Sequence, residues 1–95
     1  MDNNELKKHA LNVRRNIIEM VYSAQSGHPG GSLGSADILT FLYFEEMNVT
    51  NENKGSTSRD RFVLSKGHCS PGLYGVLKEA GLIDDDINCI ITVLF

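Results

Sequence analysis

The stretch Ser26-Gly27-His28-Pro29-Gly30-Gly31-Ser32 separates two long helical patterns and is the sharpest change of local character in the chain. Pro29 disfavours helical backbone at the residue before it, so the first helix is expected to end at or before Gly27. The glycines allow backbone conformations that other residues avoid, and they let a ligand approach closely. The stretch therefore predicts an imidazole on a tight loop between two helices. That loop is either a binding position or an ordinary helix–helix corner.

The segment before this loop has the apolar repeat of an amphipathic helix. Asp2 and Glu5 have the spacing of a capping box, although Asn3 or Asn4 could cap the helix instead. Apolar residues then recur every three or four positions, at Leu6, Ala10, Val13, Ile17, Met20, Val21 and Ala24. The pattern predicts a helix over about residues 4–25. His9 falls on its polar side and is interpreted as a surface histidine without a role.

The segment after the loop is apolar on nearly all sides of a second predicted helix, which Ser32 or Ser35 would cap. Its apolar residues are Leu33, Ala36, Ile38, Leu39, Phe41, Leu42, Tyr43, Phe44 and Met47. Such a helix is usually buried on most sides, so we expect further protein around it. Asp37 is expected in its first turn, where a carboxylate suits the positive end of the helix; a buried hydrogen-bonding site is the alternative.

The second half of the chain reads as a strand followed by a helix. Arg61-Phe62-Val63-Leu64-Ser65 is a short apolar run and predicts a buried strand of a parallel sheet. Ser70 as cap and Pro71 in the first turn predict a third helix to about Ala80, which Gly81 would end. The order helix, helix, strand, helix indicates the α/β fold class, as the start of a parallel-sheet domain.

His68 lies three residues after the predicted strand, at the edge of the sheet where α/β proteins bind ligands. A helix N-terminus follows directly and favours phosphate binding. His68, near Lys66, is therefore a candidate hydrogen-bond donor to a phosphate, or else a histidine in an ordinary turn. Cys69 is an alternative nucleophile, because helix N-termini lower thiol pKa values. A zinc site formed by His28, His68 and Cys69 is a further alternative that lacks the usual ligand spacing.

Composition excludes several classes of protein. The 95 residues form at most one small domain. The net charge of −3 argues against nucleic-acid binding, which usually requires a basic face. No apolar run is long enough for a membrane span, and no apolar segment of a secretory signal follows Met1. We therefore expect a cytoplasmic protein in which Cys69 and Cys89 are free thiols.

Two segments in this order resemble the N-terminal part of transketolases. The first is residues 26–33, Ser-Gly-His-Pro-Gly-Gly-Ser-Leu, followed by Ala36-Asp37-Ile38-Leu39. The second is residues 60–71, Asp-Arg-Phe-Val-Leu-Ser-Lys-Gly-His-Cys-Ser-Pro. The separation of the two histidines also fits that family. The resemblance covers about residues 5–82, so residues 1–95 are interpreted as a partial N-terminal domain with a divergent or truncated tail at 83–95.

The resemblance implies the beginning of a thiamine diphosphate-binding α/β domain. Transketolases, which act in the pentose phosphate pathway, move a two-carbon ketol unit from a ketose phosphate to an aldose phosphate. They use thiamine diphosphate and Mg²⁺. By motif match, His28 is the catalytic histidine that contacts the substrate, and His68 is the cofactor-binding histidine near the diphosphate.

The family's metal ligands and its cofactor-activating glutamate lie in segments absent from this chain. The chain alone is therefore expected neither to bind the cofactor tightly nor to catalyse transfer. For the complete enzyme the resemblance implies a homodimer or an assembly of split subunits, without nucleic acid or membrane partners. Two alternatives stay open. One is a piece of a related synthase such as deoxyxylulose-phosphate synthase, and the other is a non-catalytic interaction module whose second helix docks a partner.

Overall fold

Helices form the ordered framework of this protein, whose computed structural model describes residues 1–25, 29–65 and 67–83, apart from the side chain of His68. Within these residues the helices are α1 (Asn3–Ala24), α2 (Pro29–Phe41) and α3 (Ser70–Glu79). A π-helical turn, Leu42–Glu46, extends α2, and a 3₁₀ turn, Gly67–Cys69, precedes α3. Each α-helix packs against the other two.

The ends of α1 follow from local chemistry. The Asp2 carboxylate accepts a hydrogen bond from the Glu5 N–H at 2.8 Å, which satisfies one of the free donors of the first turn. At the other end Gln25 adopts a left-handed conformation, with φ 50°, and its N–H donates to the Tyr22 carbonyl. The prediction of a helix over residues 4–25 is confirmed to within one residue at each end.

The core lies where the three helices meet. Its fully buried members are Val13 and Ile17 of α1, Ala36 and Leu39 of α2, and Val76 of α3. The pairs in α1 and in α2 are each one helical turn apart, so each of these helices contributes an apolar stripe to the core. Partly buried side chains close the cluster from the sides, namely Val21, Leu33, Tyr43, Phe44, Phe62 and Leu73.

Two glycines allow α3 to approach its neighbours closely. A Cβ atom at Gly72 would lie 3.1 Å from the Ser35 hydroxyl and 3.3 Å from the Ser32 Cα. A Cβ atom at Gly75 would lie 3.2 Å from Cγ1 of Ile17. Because real side chains rarely tolerate such distances, the backbone of α3 itself forms part of both helix–helix contacts.

The predicted strand is not present. The described residues contain no strand, and the run 61–65 is irregular, with the Val63 side chain 86% exposed. Phe62 alone joins the core, where its ring meets Tyr43 edge-on at 6.2 Å between centroids. A parallel strand needs hydrogen-bonding neighbours on the sheet, and the described part of this chain offers none. The described part of the fold is therefore helical, and the strand on which the α/β prediction rested is wrong for these residues.

The start of α2 also differs from the expectation. The helix begins at Pro29, whose restricted φ suits a first helical position, and not at Ser32 or Ser35. Asp37 consequently lies in the third turn, where its 71% exposed side chain pairs with Arg14 of α1 and has no role at the helix end. The 66% exposure of Ile38, by contrast, agrees with the expectation that this apolar helix needs further protein around it.

The beginning and end of α3 agree closely with the prediction. Pro71 occupies the first turn, and the helix ends at Glu79, one residue before the expected Ala80. Gly81 has φ 74°, a conformation that other residues adopt at a cost, so it does end the helical run. Cys69 takes the N-cap position predicted for Ser70.

His9 is not the isolated surface residue that the pattern indicated. Its Nδ1 lies 2.8 Å from Oε2 of Glu79, and its ring stacks on Phe44 with 4.0 Å between centroids. The Asn12 amide donates to the same Glu79 oxygen at 2.9 Å. We call these four residues the His9–Glu79 cluster. It joins the N-terminal half of α1 to the end of α3 and to the π-helical turn.

The outer face of α1 carries apolar side chains at Leu11, Ile18 and Tyr22. These side chains are exposed although the opposite face is fully buried. Scattered exposed apolar residues are normal on protein surfaces. None of the helices in the described ranges is both long enough and apolar enough to cross a membrane.

Candidate functional site

The two predicted site histidines precede α2 and α3 in the sequence. His28 lies outside the described residues, as does Lys66, and Pro29 is the first residue of α2. The backbone of His68 belongs to the 3₁₀ turn that precedes α3, while its side chain is outside the description. The roles assigned to both imidazoles therefore stay predictions.

The chain segments that adjoin these histidines pack against each other. Ser32, in the first turn of α2, meets Gly72, in the first turn of α3, at the close approach described above. The 3₁₀ turn that contains His68 also contacts α2. Two motifs far apart in sequence are thus brought to one crossing of two helices, which we call the α2–α3 crossing.

Local chemistry explains the tight turn before α3. Cys69 has φ −96° and ψ 13° and leads the chain into the helix. The Ser70 hydroxyl donates back to the Gly67 carbonyl, which closes the turn. Pro71 is fully buried, and its missing N–H costs nothing in the first turn of a helix.

The electrostatic character of the α2–α3 crossing is that of two positive helix ends. The first N–H groups of a helix have no acceptor within the helix, and the macrodipole makes this end positive. Neither α2 nor α3 has an acidic residue in its first turn. At Gly30 and Gly67 a Cβ would meet no atom within 4 Å, so both backbones are open there. This arrangement suits an anionic group such as a phosphate.

Ser32 is a site feature that sequence reasoning treated only as a helix cap. Its side chain is fully buried, and its hydroxyl has no hydrogen-bond partner in the structure. An unsatisfied buried hydroxyl typically costs about 1–3 kcal/mol. In the sequence, the only indication that Ser32 would be buried was its position four residues before Ala36, on the same helical stripe.

The alternatives for Cys69 find little support. The residue is only 6% exposed, which keeps the sulfur from an external reaction partner. Of the proposed zinc ligands, His28 and the ring of His68 lie outside the description. Within the ranges 1–25, 29–65 and 67–83, no group of three or more His, Cys, Asp or Glu residues is placed to hold a metal ion.

The predictions for the two thiols and for the tail have different outcomes. Cys69 is a free cysteine, as expected. Cys89 lies outside the described residues, together with the rest of the tail after Ile83. The free thiol expected at Cys89 and the divergence expected at 83–95 therefore stay predictions.

Comparison with known proteins gives a consistent result. The family described as "Transketolase, thiamine diphosphate binding domain" matches residues 6–91. The chain is 45% identical over 75 residues to one of the subunits of the apulose-4-phosphate transketolase of Phocaeicola vulgatus, a match that covers 79% of this chain and 27% of that protein. It is 40% identical over 78 residues to the transketolase of Homo sapiens, a match that covers 82% of this chain and 12% of that protein.

A bacterial relative gives the same picture. The chain is 43% identical over 75 residues to the transketolase of Bacillus subtilis, a match that covers 79% of this chain and 11% of that protein. The similarity therefore spans 27% or less of the length of each of these curated relatives. What the complete relatives do is carried by far more residues than this chain has.

Proposed function

The chain belongs to the transketolase family, in its thiamine diphosphate-binding domain, and from this premise we propose that it supplies the first part of the cofactor site of a ketol-transferring enzyme. The reaction we propose is the transfer of a two-carbon unit from a ketose phosphate to an aldose phosphate. The observation that supports it is the α2–α3 crossing, where the segments next to the two family-like histidine motifs pack together.

The residues at this crossing fit a diphosphate group. The first turns of two helices meet there without acidic residues, and Gly30 and Gly67 leave the backbone open. Backbone N–H groups at helix ends bind phosphate oxygens without introducing a titratable group. The donor set thus agrees with a diphosphate, and His68 adds a polar side chain in the turn before α3.

We assign the two histidines different roles. Thiamine diphosphate, when bound, supplies the carbanion chemistry and the electron sink. His68 contacts the diphosphate and helps to hold the cofactor. His28 contacts the substrate, where its imidazole donates and accepts protons at the substrate oxygens near neutral pH. General acid–base catalysis of this kind typically contributes about 10²–10⁴-fold in rate.

The remaining parts of the proposed site come from outside this chain. Other segments would bind Mg²⁺ and would supply the glutamate that activates the cofactor. These segments would come together with this chain in a homodimer or in an assembly of split subunits in the cytoplasm. Three relatives are named as subunits, two of apulose-4-phosphate transketolases and one of a 6-deoxy-6-sulfo-D-fructose transketolase from a Clostridium species. Their names agree with a split arrangement, which we propose for this chain as one of the two possibilities.

A chimera tests the catalytic role of His28. Residues 5–82 of this chain would replace the matching segment of the Bacillus subtilis transketolase, and ketol transfer would be measured with thiamine diphosphate and Mg²⁺. We expect an active chimera, and we expect His28→Ala to lower kcat by about 10²–10⁴-fold because the proton-transfer group is lost. His9→Gln is the matched control, since the His9–Glu79 cluster takes no part in transfer. Unchanged turnover of the His28→Ala chimera would remove the assigned role.

Calorimetry tests whether this chain suffices for cofactor binding. The 95-residue chain would be titrated with thiamine diphosphate in the presence of Mg²⁺. We expect no micromolar binding, because a few backbone donors without the metal ligands neutralise little of the diphosphate charge. Micromolar affinity for the isolated chain would contradict this expectation and would place a complete site within it.

An interaction module is a second candidate, and the exposed outer face of α2 favours it. Ile38 is 66% exposed there and Phe41 is 47% exposed. A monodisperse, independently folded chain with an inactive chimera would support the module. An active chimera would support the enzyme. No particular observation favours the deoxyxylulose-phosphate synthase alternative.

A further inference from the structure

A cleft of about 290 Å³ lies between the loop after the π-helical turn and the C-terminal part of α3. Its walls are mostly apolar, formed by Val49, Phe62, Leu73, Leu77, Leu82 and Ile83. Its polar lining consists of Tyr43, Lys54, Arg59 and Asp60. A cleft with apolar walls and a few convergent polar groups is the usual form of a small-molecule site, and this one is near the lower end of the usual size range.

Arg59 is the polar residue that distinguishes this cleft. Its Nη1 donates to the carbonyl oxygen of Asp60 at 3.1 Å. Its Nε is buried and has no hydrogen-bond partner in the structure. The carboxylate of Asp60 is occupied elsewhere, since it accepts the Asn48 N–H at 2.7 Å. Among the described residues, no carboxylate forms an ion pair with Arg59.

The unpartnered Nε of Arg59 favours one kind of ligand group. The edge formed by Nε and the second terminal nitrogen is one of the guanidinium edges that binds a carboxylate through two parallel hydrogen bonds. A buried N–H without a partner carries a desolvation cost, and an incoming carboxylate would relieve it. The free donor on Arg59 therefore indicates a planar, bidentate acceptor.

Two further groups add hydrogen-bond donors to the cleft. Burial raises the pKa of Tyr43 above its ordinary value of 10.0, while the nearby charge of Arg59 acts in the opposite direction. The phenol consequently keeps its proton at neutral pH and can donate to an anion. Lys54 donates to the Leu82 carbonyl at 3.0 Å, so its ammonium group is held at the rim.

We propose that this cleft binds a small monocarboxylate with a compact apolar body. The carboxylate accepts hydrogen bonds from Arg59 and Tyr43, and the apolar body packs between Phe62 and the α3 residues Leu73 and Leu77. Sugar phosphates fit poorly, because their hydroxyl groups would lose water against apolar walls without gaining partners. The inference is independent of the proposed transfer reaction.

A titration of the full chain with benzoate tests the proposal. Binding would be followed by ¹H–¹⁵N NMR spectroscopy, and we expect saturable shifts at residues lining the cleft, with a Kd of roughly millimolar for so small a ligand. Benzyl alcohol is the neutral comparison, and it should bind at least about tenfold more weakly because charge-assisted hydrogen bonds are lost. Equal affinity for both compounds would overturn the proposal, as would the absence of saturable binding by benzoate.

Two matched variants locate the site. Arg59→Gln should weaken benzoate binding about tenfold or more, because the bidentate donor is removed. Arg61→Gln makes the same change of charge at an exposed residue that does not line the cleft, and its Kd should stay within about twofold of the unchanged chain. Equal losses in both variants would reveal a general charge effect and would contradict the assignment.

A third variant tests the proposal if Arg59→Gln does not fold. If circular dichroism shows that Arg59→Gln is unfolded, Tyr43→Phe provides the measurement, since it keeps the ring against Phe62 and removes only the hydroxyl. We expect Tyr43→Phe to weaken benzoate binding severalfold and to leave binding of benzyl alcohol unchanged. A Tyr43→Phe chain that binds benzoate as tightly as the unchanged chain would overturn the proposed contact.

Discussion

Ser32 shows how a single buried atom adds a cost to the fold. Its hydroxyl lies at the α2–α3 crossing without a hydrogen-bond partner, whereas the neighbouring Ser35 hydroxyl donates to the Ser32 carbonyl at 3.0 Å. The two serines have the same chemistry and differ in whether the hydroxyl is satisfied. They therefore form a natural pair for measuring the cost of the unpaired group.

We expect Ser32→Ala to raise the free energy of unfolding by about 1 kcal/mol, because the desolvated hydroxyl is removed and alanine favours the helix. Urea unfolding of the full chain measures the change. Ser35→Ala is the control, and it should have a smaller or opposite effect, since it breaks an existing hydrogen bond. A larger gain from Ser35→Ala than from Ser32→Ala would contradict the account of the buried hydroxyl.

The packing of α3 depends on how closely its backbone approaches α1 and α2. Gly72 and Gly75 lie on the two contact faces, and both leave too little space for a Cβ. Gly34 lies in α2, where an added Cβ would meet no atom within 4 Å, so its lack of a side chain is not required by packing. Glycine thus has opposite consequences in two helices of the same protein.

Gly75→Ala should lower the free energy of unfolding by about 1–2 kcal/mol, because the overpacking cost exceeds the gain in helix propensity. Gly34→Ala should raise it by about 0.5–1 kcal/mol, since only the gain in propensity remains. Thermal and urea unfolding of both variants provide the measurement. Stabilisation by both substitutions would show that α3 does not approach Ile17 as closely as the structure indicates.

The molecule as a whole is connected by contacts between residues distant in sequence. The His9–Glu79 cluster joins residues near the two ends of the described chain, and it combines a hydrogen bond, a second donor from Asn12 and a stacked aromatic pair. Both partners are partly buried, so the interaction is less screened by solvent than a surface ion pair.

A double-mutant cycle measures this long-range contact. We expect His9→Ala and Glu79→Ala each to lower the free energy of unfolding by about 1 kcal/mol, with a coupling energy of about 0.5–1 kcal/mol because each residue is the other's partner. Arg15→Ala with Glu79→Ala is the control pair, in which the residues make no hydrogen bond or ion pair in the described structure and the effects should add. A coupling near zero for His9 and Glu79 would show that the contact contributes nothing to stability.

Much of this protein was determined by its sequence alone. Asp2, Pro71 and Gly81 mark helix ends through local steric and hydrogen-bonding rules, so the ends of α1 and α3 were predicted nearly to the residue, whereas the start of α2 at Pro29 was not. The two histidine motifs were likewise sufficient to predict the family, because each is a contiguous run of sequence that can be recognised without knowing the packing.

Tertiary structure decided the contacts between residues that are distant in sequence. The partners of His9 and Arg14 lie on other helices, and the orphaned donors of Ser32 and Arg59 exist only because neighbouring elements exclude water from them. The same reason explains the missing strand at residues 61–65. A helix satisfies its backbone hydrogen bonds within itself, whereas a strand requires a neighbour that the described part of this chain does not supply.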